Sequence, residues 1–192
     1  MSGDEYLKPA EEIDMEAAEL AIRKASAMGT VLLILASIAA YQALPLFFVF
    51  PEELPERLAF AAIASSFVWV SVLIAVGMVS TIRRIHPEDN AGSAAGPPSE
   101  RLAIPKAFLQ NTLEQAGLAS MAFFGFAALF SGPWLALIVV AVLFFAVGRI
   151  LFYRRYHGGT RGRALGMVLT ITPTIYGYFA IIGVTFFRLF FG

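Results

Sequence analysis

Hydrophobic residues group into five long stretches that are separated by short polar segments. The stretches cover about residues 27–50, 58–82, 105–131, 133–153 and 163–190. Each provides the roughly 20 residues that an α-helix needs to cross the hydrocarbon core of a bilayer. The second stretch contains no charged residue from Leu58 to Ile82, and the fourth is unbroken apolar sequence from Trp134 to Val147. The pattern predicts five transmembrane helices.

Four of these stretches contain a proline, and Pro133 at the start of the fourth belongs to the tight turn Ser131-Gly-Pro133. Pro45 and Pro173 lie inside the first and fifth stretches, which we predict to remain helical because neighbouring groups can satisfy the backbone carbonyl that proline leaves unpaired. Pro105 is suited to the first turn of a helix, where its missing N–H has no partner to lose. The third helix is therefore predicted to begin near Ile104.

The first 26 residues are polar and acidic. Apolar residues at Ile13, Ala17, Leu20 and Ala21 recur at helical spacing, but the acidic character favours a solvated, partly disordered tail. The predicted organisation is an acidic cytoplasmic tail at 1–26, an additional transmembrane helix at 27–50 and a four-helix membrane domain at 58–190.

Composition assigns the chain to the membrane proteins and excludes several other classes. Of its 192 residues, 58% are hydrophobic, far above the share in soluble domains. A net charge of zero argues against a nucleic-acid partner, which requires a basic face. There is no Cys, and His86 and His157 have no partner at metal-ligand spacing, so we predict no metal site.

The loops alternate in charge, which predicts the orientation. A cytoplasmic amino terminus puts twelve of the fourteen Lys and Arg residues on the cytoplasmic side, leaving only Arg57 and Arg188 outside. We expect the amino terminus inside and the carboxyl terminus outside, in the inner membrane if the source is bacterial.

The third stretch carries the only acidic side chain within an apolar segment, Glu114. Gln110 and Asn111 lie about one helical turn before it. A carboxylate at membrane depth is costly unless it faces a polar interior, so these residues are a candidate site. The alternative is a polar clamp that only fixes helix packing.

Basic and aromatic residues collect at the end of the fourth stretch and the start of the fifth. Arg149, Tyr153 and Tyr156 share one side of a helix, and Arg149 is predicted to be a buried partner of Glu114. Arg161 and Arg163 follow at the same depth. This cluster suits an anionic ligand with carboxylates, although plain positive-inside anchoring remains the alternative.

Three motifs together resemble the MAPEG family, the membrane-associated proteins of eicosanoid and glutathione metabolism. They are Phe108-Leu-Gln-Asn-Thr-Leu-Glu-Gln115, Gly148-Arg-x-x-x-Tyr-x-x-Tyr156 and Arg161-x-Arg-Ala-Leu-Gly166. The resemblance covers roughly residues 58–190. It implies an all-α integral membrane fold, a MAPEG-like four-helix bundle preceded here by one additional N-terminal transmembrane helix.

The resemblance also implies a homotrimer that binds glutathione between subunits and takes a lipophilic second substrate from the membrane lipid. Arg163 matches the arginine that stabilises the glutathione thiolate in family enzymes, with Arg161 as its competitor. The implied glutathione-binding residues, with their neighbours, are Gln110, Asn111, Glu114, Arg149, Tyr153, Tyr156 and Arg161.

Two positions depart from the catalytic pattern of the family. Catalytic members often carry Arg at the position of Ala107, and some carry Tyr or His at the position of Phe152. The leading expectation is a membrane glutathione transferase or peroxidase-like enzyme. The alternatives are a non-catalytic member that binds lipid or a partner protein, and a small transporter that uses Glu114 as its ion site.

Overall fold

The computed structural model describes residues 13–191, except for the side chains of Ser93 and Ala95. Within that range the chain is helical and contains no strand, which confirms the all-α prediction. The helices are α1 (Met15–Ala43), α2 (Leu54–Ile85), the four-residue α3 (Pro87–Asn90), α4 (Glu100–Leu129), α5 (Ala136–Arg154) and α6 (Gly159–Phe191).

Four helical segments of the described range are long and apolar enough to cross a membrane. They are Met15–Leu46, Leu54–Ile85, Gly132–Arg154 and Tyr156–Phe191. The remaining predicted span, the third, corresponds to α4, which is long enough at 30 residues but is not among the four. Its middle carries the polar run around Asn111 and Glu114, which lowers its hydropathy.

The additional helix begins earlier and ends earlier than the sequence indicated. The Asp14 carboxylate accepts a hydrogen bond from the Ala17 backbone N–H at 2.9 Å, so α1 starts at Met15. Residues 15–26 are therefore helical, and the prediction of a disordered tail was wrong for them; residues 1–12 lie outside the described range. Helix α1 stops at Ala43, and Pro45 lies in a short 3₁₀ turn, Leu44–Leu46, so the prediction that the first helix continues through Pro45 was wrong.

Helix α4 also begins earlier than predicted, at Glu100 instead of near Ile104. Ser99 caps it, since its hydroxyl accepts from the Leu102 N–H. The buried Asp89 carboxylate holds Ser99 in turn, accepting from its backbone N–H at 3.0 Å and from its hydroxyl at 2.6 Å. Pro105 consequently lies inside α4 and not in its first turn. Pro173 lies inside α6, and α6 stays continuous as predicted.

The core of the bundle lies among α2, α4 and α5. Its most deeply buried members include Ala61, Val68, Ala116, Phe123, Leu135 and Phe145. Helix α4 packs most extensively against α2, α6 packs along α5 and α4, and α1 lies against α6 and α5. This arrangement puts the ends of α4, α5 and α6 that carry polar side chains next to one another.

Two arginines cap the far end of the bundle. Arg57 donates to the Phe130 carbonyl at 3.0 Å, and Arg188 donates to the Leu129 carbonyl at 3.4 Å. Both carbonyls belong to the carboxyl end of α4, where backbone acceptors have no partner inside the helix. The two cations predicted to share one side of the membrane therefore lie at the same end of the molecule.

Candidate functional site

Arg149 is the most deeply buried cation of the described chain, with 2% of its surface exposed. Its Nη1 donates to Asn111 Oδ1 at 2.7 Å. Its Nε and Nη2 both donate to Thr170 Oγ1, at 3.1 and 3.0 Å. Nη2 also contacts the Met167 sulfur at 3.8 Å. Arg149 thus links α4, α5 and α6, and each of its three nitrogens has an acceptor.

Two glycines allow α5 and α6 to approach closely enough for these contacts. A Cβ added to Gly166 would collide with the Phe152 backbone, and one added to Gly148 would lie 2.8 Å from the Gly166 carbonyl oxygen. Helix backbones that meet this closely require residues without side chains at the crossing. Because Gly148 precedes Arg149 directly, the close crossing delivers the guanidinium to the Thr170 hydroxyl.

The predicted pairing of Arg149 with Glu114 is wrong within one chain. Glu114 lies on the exposed side of α4 and accepts a hydrogen bond from Gln110 at 3.2 Å. Asn111 takes the place expected for the carboxylate. Residues three apart on a helix differ by about 60° in direction, and here Asn111 is the one of the pair that faces Arg149.

A cavity of about 410 Å³ opens beside this cluster. Polar groups reach it from Asn111 on α4, from Tyr156 after α5, and from Thr160 and Arg163 on α6. The remaining lining is apolar and consists of Ile22, Ala107, Phe152, Ala164, Met167 and Val168. A mainly apolar pocket with a few convergent polar groups is the usual form of a small-molecule site.

Arg163 is held in this cavity by aromatic rings. Its guanidinium carbon lies 4.8 Å from the centre of the Tyr156 ring and 5.9 Å from that of Phe152. Such contacts attract a cation to the ring face without neutralising its charge. The only ion pair within residues 13–191 is Arg23 with Glu19 on the surface of α1, so Arg163 keeps its positive charge available to an anion.

The other predicted residues fall into three places. Arg161 and Arg163 line an adjoining cavity of about 250 Å³, which also touches Tyr156 and Thr160. Tyr153 instead lines a separate, mainly apolar cavity among α2, α4 and α5, which Arg149 and Arg154 also border. Gln110 and Glu114 line neither cavity beside Arg163. The structure therefore brings Asn111, Tyr156, Arg161 and Arg163 to the two cavities, with Arg149 bonded to Asn111 beside them. Tyr153 borders Arg149 from the separate cavity, and Gln110 and Glu114 lie apart.

Sequence reasoning missed Thr170 and Met167 as partners of Arg149, and Ile22 as part of the cavity wall. A signal for Thr170 was present in Gly148 and Gly166, which mark a helix crossing. Ile22 carried no signal, because nothing in the sequence shows that α1 docks beside Arg163. Among the residues that the structure covers, no group of three or more His, Asp or Glu side chains could hold a metal ion.

Comparison with protein families gives the decisive match. The model of the MAPEG family matches residues 58–183, about two thirds of the chain. The chain belongs to the MAPEG family. Together with the four apolar helices, membership makes it an integral membrane protein. Comparisons with curated proteins and with solved structures gave no match.

The MAPEG match covers all of α4 and α5 and most of α2 and α6. It therefore contains Asn111, Tyr156 and Arg163, which line the larger cavity, and Arg149, which donates to Asn111. Helix α1 lies wholly outside the matched residues. The site is thus built mainly from the family unit, with one wall added by a helix that the family model does not include.

Proposed function

We propose that this MAPEG protein is a membrane-bound glutathione transferase or peroxidase-like enzyme that joins the glutathione thiolate to a lipophilic electrophile. The observation that carries the proposal is the cavity in which Arg163 and Asn111 meet apolar walls. Its volume, about 410 Å³, lies within the range of roughly 300–1,000 Å³ that small-molecule pockets occupy. MAPEG membership supports glutathione as the ligand class.

The chemistry of the lining fits glutathione, which has two carboxylates, two amides and a thiol. Arg163 is the residue to which we assign thiolate stabilisation, since a nearby guanidinium favours ionised sulfur and lowers the pKa of the thiol. Arg161, in the adjoining cavity, suits a carboxylate. Asn111 has its carbonyl oxygen held by Arg149, which leaves its amide nitrogen to donate to the ligand.

The reaction requires little else from the protein. The sulfur forms a bond to the electrophilic carbon, and the leaving group departs with its bonding electrons or the electrophile accepts them by addition. The thiol proton leaves to solvent before attack. The apolar lining, with Phe152 and Met167 among its members, would hold the lipophilic partner and limit the entry of water.

The exposed position of Glu114 supports the homotrimer expected for a MAPEG protein. Gln110, Glu114, Leu118 and Met121 are all exposed on one side of α4. A carboxylate in the middle of a membrane helix is costly when it faces lipid, and a second copy of the chain would cover it. Glu114 and Gln110 would then reach a glutathione molecule bound between subunits.

Charge distribution supports an orientation with the amino terminus in the cytoplasm and the carboxyl terminus outside. Arg57 and Arg188 lie together at one end of the bundle, and the other end carries the remaining cations that flank the spans. If the source is bacterial, the inner membrane is the compartment we propose. The catalytic cavity would then open near the cytoplasmic surface.

A second candidate function is a non-catalytic member that binds lipid or a partner protein. Two residues favour it. Ala107 provides a methyl group where catalytic relatives often have Arg, and the Phe152 ring lies 4.6 Å from the Arg149 guanidinium without adding a hydrogen-bonding group. A pocket that lacks these polar groups could bind a ligand without activating it.

The test is conjugation of a generic electrophile by detergent-purified protein, comparing the parent with Arg163→Ala and Arg161→Ala. We expect Arg163→Ala to lower kcat by about 10²-fold, the usual cost of removing one group that stabilises developing charge. Its activity should also move to higher pH, because the thiol pKa rises. Arg161→Ala should weaken glutathione binding without that pH shift.

Three results would count against the enzyme proposal or its details. A parent protein that neither binds glutathione nor turns over the electrophile would remove the enzyme proposal, and binding without turnover would favour the non-catalytic candidate. Undiminished turnover in Arg163→Ala would show that a different group activates the thiol.

A further inference from the structure

Helix α1 is docked against α6 in a fixed position. Its buried residues Ala18, Ala25, Gly29 and Leu33 are spaced by seven, four and four positions and therefore share one face. Ala25 packs with Ala164 and Val168 of α6. A Cβ added to Gly29 would lie 2.5 Å from the Val168 Cγ1, so the helices meet without space for a side chain at this point.

The docked face of α1 continues into the site. Ile22 lines the larger cavity, opposite the apolar side chains of α6. Ile13 and Ala18 line the adjoining cavity with Arg161 and Arg163. The two cavities share Tyr156, Thr160 and Arg163, so α1 borders both of the cavities that Arg163 lines.

We propose that α1 is a structural wall of the Arg163 pocket and that Ile22 determines how large an apolar group the pocket accepts. The side chain is β-branched and therefore stiff, and 42% of its surface is exposed, which leaves it free to contact a ligand. The ligand group that it faces is apolar, the hydrocarbon part of a lipophilic substrate. Only the identity of that substrate rests on the function proposed above.

Ile34 provides a matched control on the same helix. It is exposed to a similar extent, 52%, and lines neither cavity. Any general effect of a larger side chain on α1 should appear at both positions. An effect through the pocket should appear at Ile22 alone.

The chain contains no Cys, which permits a test that does not depend on activity. Ala107 lines the larger cavity, so Ala107→Cys gives a single thiol in the pocket. Its rate of labelling by a small maleimide is compared in three proteins: Ala107→Cys alone, with Ile22→Trp, and with Ile34→Trp. We expect Ile22→Trp to slow labelling by about tenfold, because thiol reactivity follows access, and Ile34→Trp to leave it unchanged.

Ile22→Ala provides the converse measurement, in case the larger residue disturbs folding. It should speed the labelling of Ala107→Cys, since it widens the pocket. Equal labelling rates in the Ile22 and Ile34 variants, with Ile22→Ala also unchanged, would overturn the proposal. For electrophiles of increasing chain length, Ile22→Trp should lower kcat/KM for the longest most strongly.

S-methylglutathione, which cannot react with maleimide, separates this proposal from the function that it extends. If it protects Ala107→Cys from labelling while Ile22 substitutions have no effect, glutathione binds in the cavity and the proposal that α1 forms its wall is wrong. If Ile22→Trp slows labelling and S-methylglutathione gives no protection, α1 is the wall of a pocket for another ligand. Protection together with the Ile22 effect is the result expected.

Discussion

Thr170 receives two of the hydrogen bonds that Arg149 donates, and its own hydroxyl donates to the Gly166 carbonyl at 2.8 Å. Both residues are almost fully buried. A buried guanidinium that loses an acceptor cannot recover it from water. The free energy of unfolding of the protein therefore depends on the hydroxyl at position 170.

Thr170→Val keeps the shape of the side chain and removes the hydroxyl. We expect it to destabilise the protein by about 1.5–3 kcal/mol, the usual worth of a hydrogen bond to a charged group. Thr170→Ser, which keeps the hydroxyl, should cost much less. Thermal unfolding in detergent measures both, and equal Tm values for the two variants would contradict the assigned role of Thr170.

Helical periodicity predicted that Arg149 points inward but chose the wrong partner. Periodicity fixes directions around the helix that carries a residue, and Arg149 is buried as expected. It does not fix how a neighbouring helix is rotated about its own axis. The rotation of α4 turns Asn111 toward Arg149 and Glu114 away from it, and packing against α2 sets that rotation.

At the scale of the helices, the contact between α1 and α6 depends on Gly29. Gly29→Ala would place a Cβ against Val168, whose χ1 is stiff in a helix, and should destabilise the protein by about 1–3 kcal/mol. Val168→Ala should restore part of this loss. Gly77→Ala is the matched control, since nothing lies within 4 Å of its added Cβ; it should be neutral or stabilising, as Ala favours helix. Tm measurements that rank Gly77→Ala as the more harmful change would contradict the docking of α1.

The loop between α2 and α4 is held by Asp89, whose pKa is lowered chiefly by the Ser99 hydroxyl and then by the Ser99 backbone N–H. His86 and Arg83 lower it further, and burial opposes the shift. Because the folded-state pKa is below the unfolded value, this contact stabilises the protein above the unfolded pKa, and its contribution is lost as pH falls through the folded pKa.

Asp89→Asn should therefore loosen residues 86–102 at neutral pH. Faster hydrogen exchange in that segment is the expected result, with the difference from the parent disappearing in acid. Glu88→Gln, an exposed neighbour, is the control and should exchange like the parent. Exchange in Asp89→Asn that matched the parent at neutral pH would contradict the role of this carboxylate.

The hydrophobic pattern predicted the number and order of the long helices, and it failed at their ends. Side-chain caps moved the starts of α1 and α4 to Met15 and Glu100, and both caps come from residues in polar sequence. The pattern detects apolar stretches, whereas a helix can extend beyond the apolar stretch where a cap satisfies its terminal N–H groups.

At the scale of the whole molecule, the exposed polar side of α4 predicts contact with a second copy of the chain. In the Cys-free protein, Leu118→Cys places a thiol on that side, and Leu73→Cys places one on the exposed side of α2. Oxidation in native membranes should give a covalent dimer with Leu118→Cys and none with Leu73→Cys. The reverse result would put the contact on another face.

The family assignment is the part of the whole-molecule account that the sequence supported best. Three short motifs in the right order and at the right membrane depth pointed to MAPEG, and the family match confirmed it. The wall formed by α1 could not be predicted in the same way, because α1 lies outside the family unit and its position beside Arg163 depends on a helix contact at Gly29.

Glutathione binding to the purified protein tests the central claim most directly. We predict saturable binding of glutathione to the parent by equilibrium dialysis, strongly weakened in Asn111→Ala and in Arg163→Ala, and unchanged in Ile34→Ala on the exposed side of α1. Absence of saturable binding in the parent, or equal binding in the parent and both pocket variants, would contradict the assignment of this cavity to glutathione.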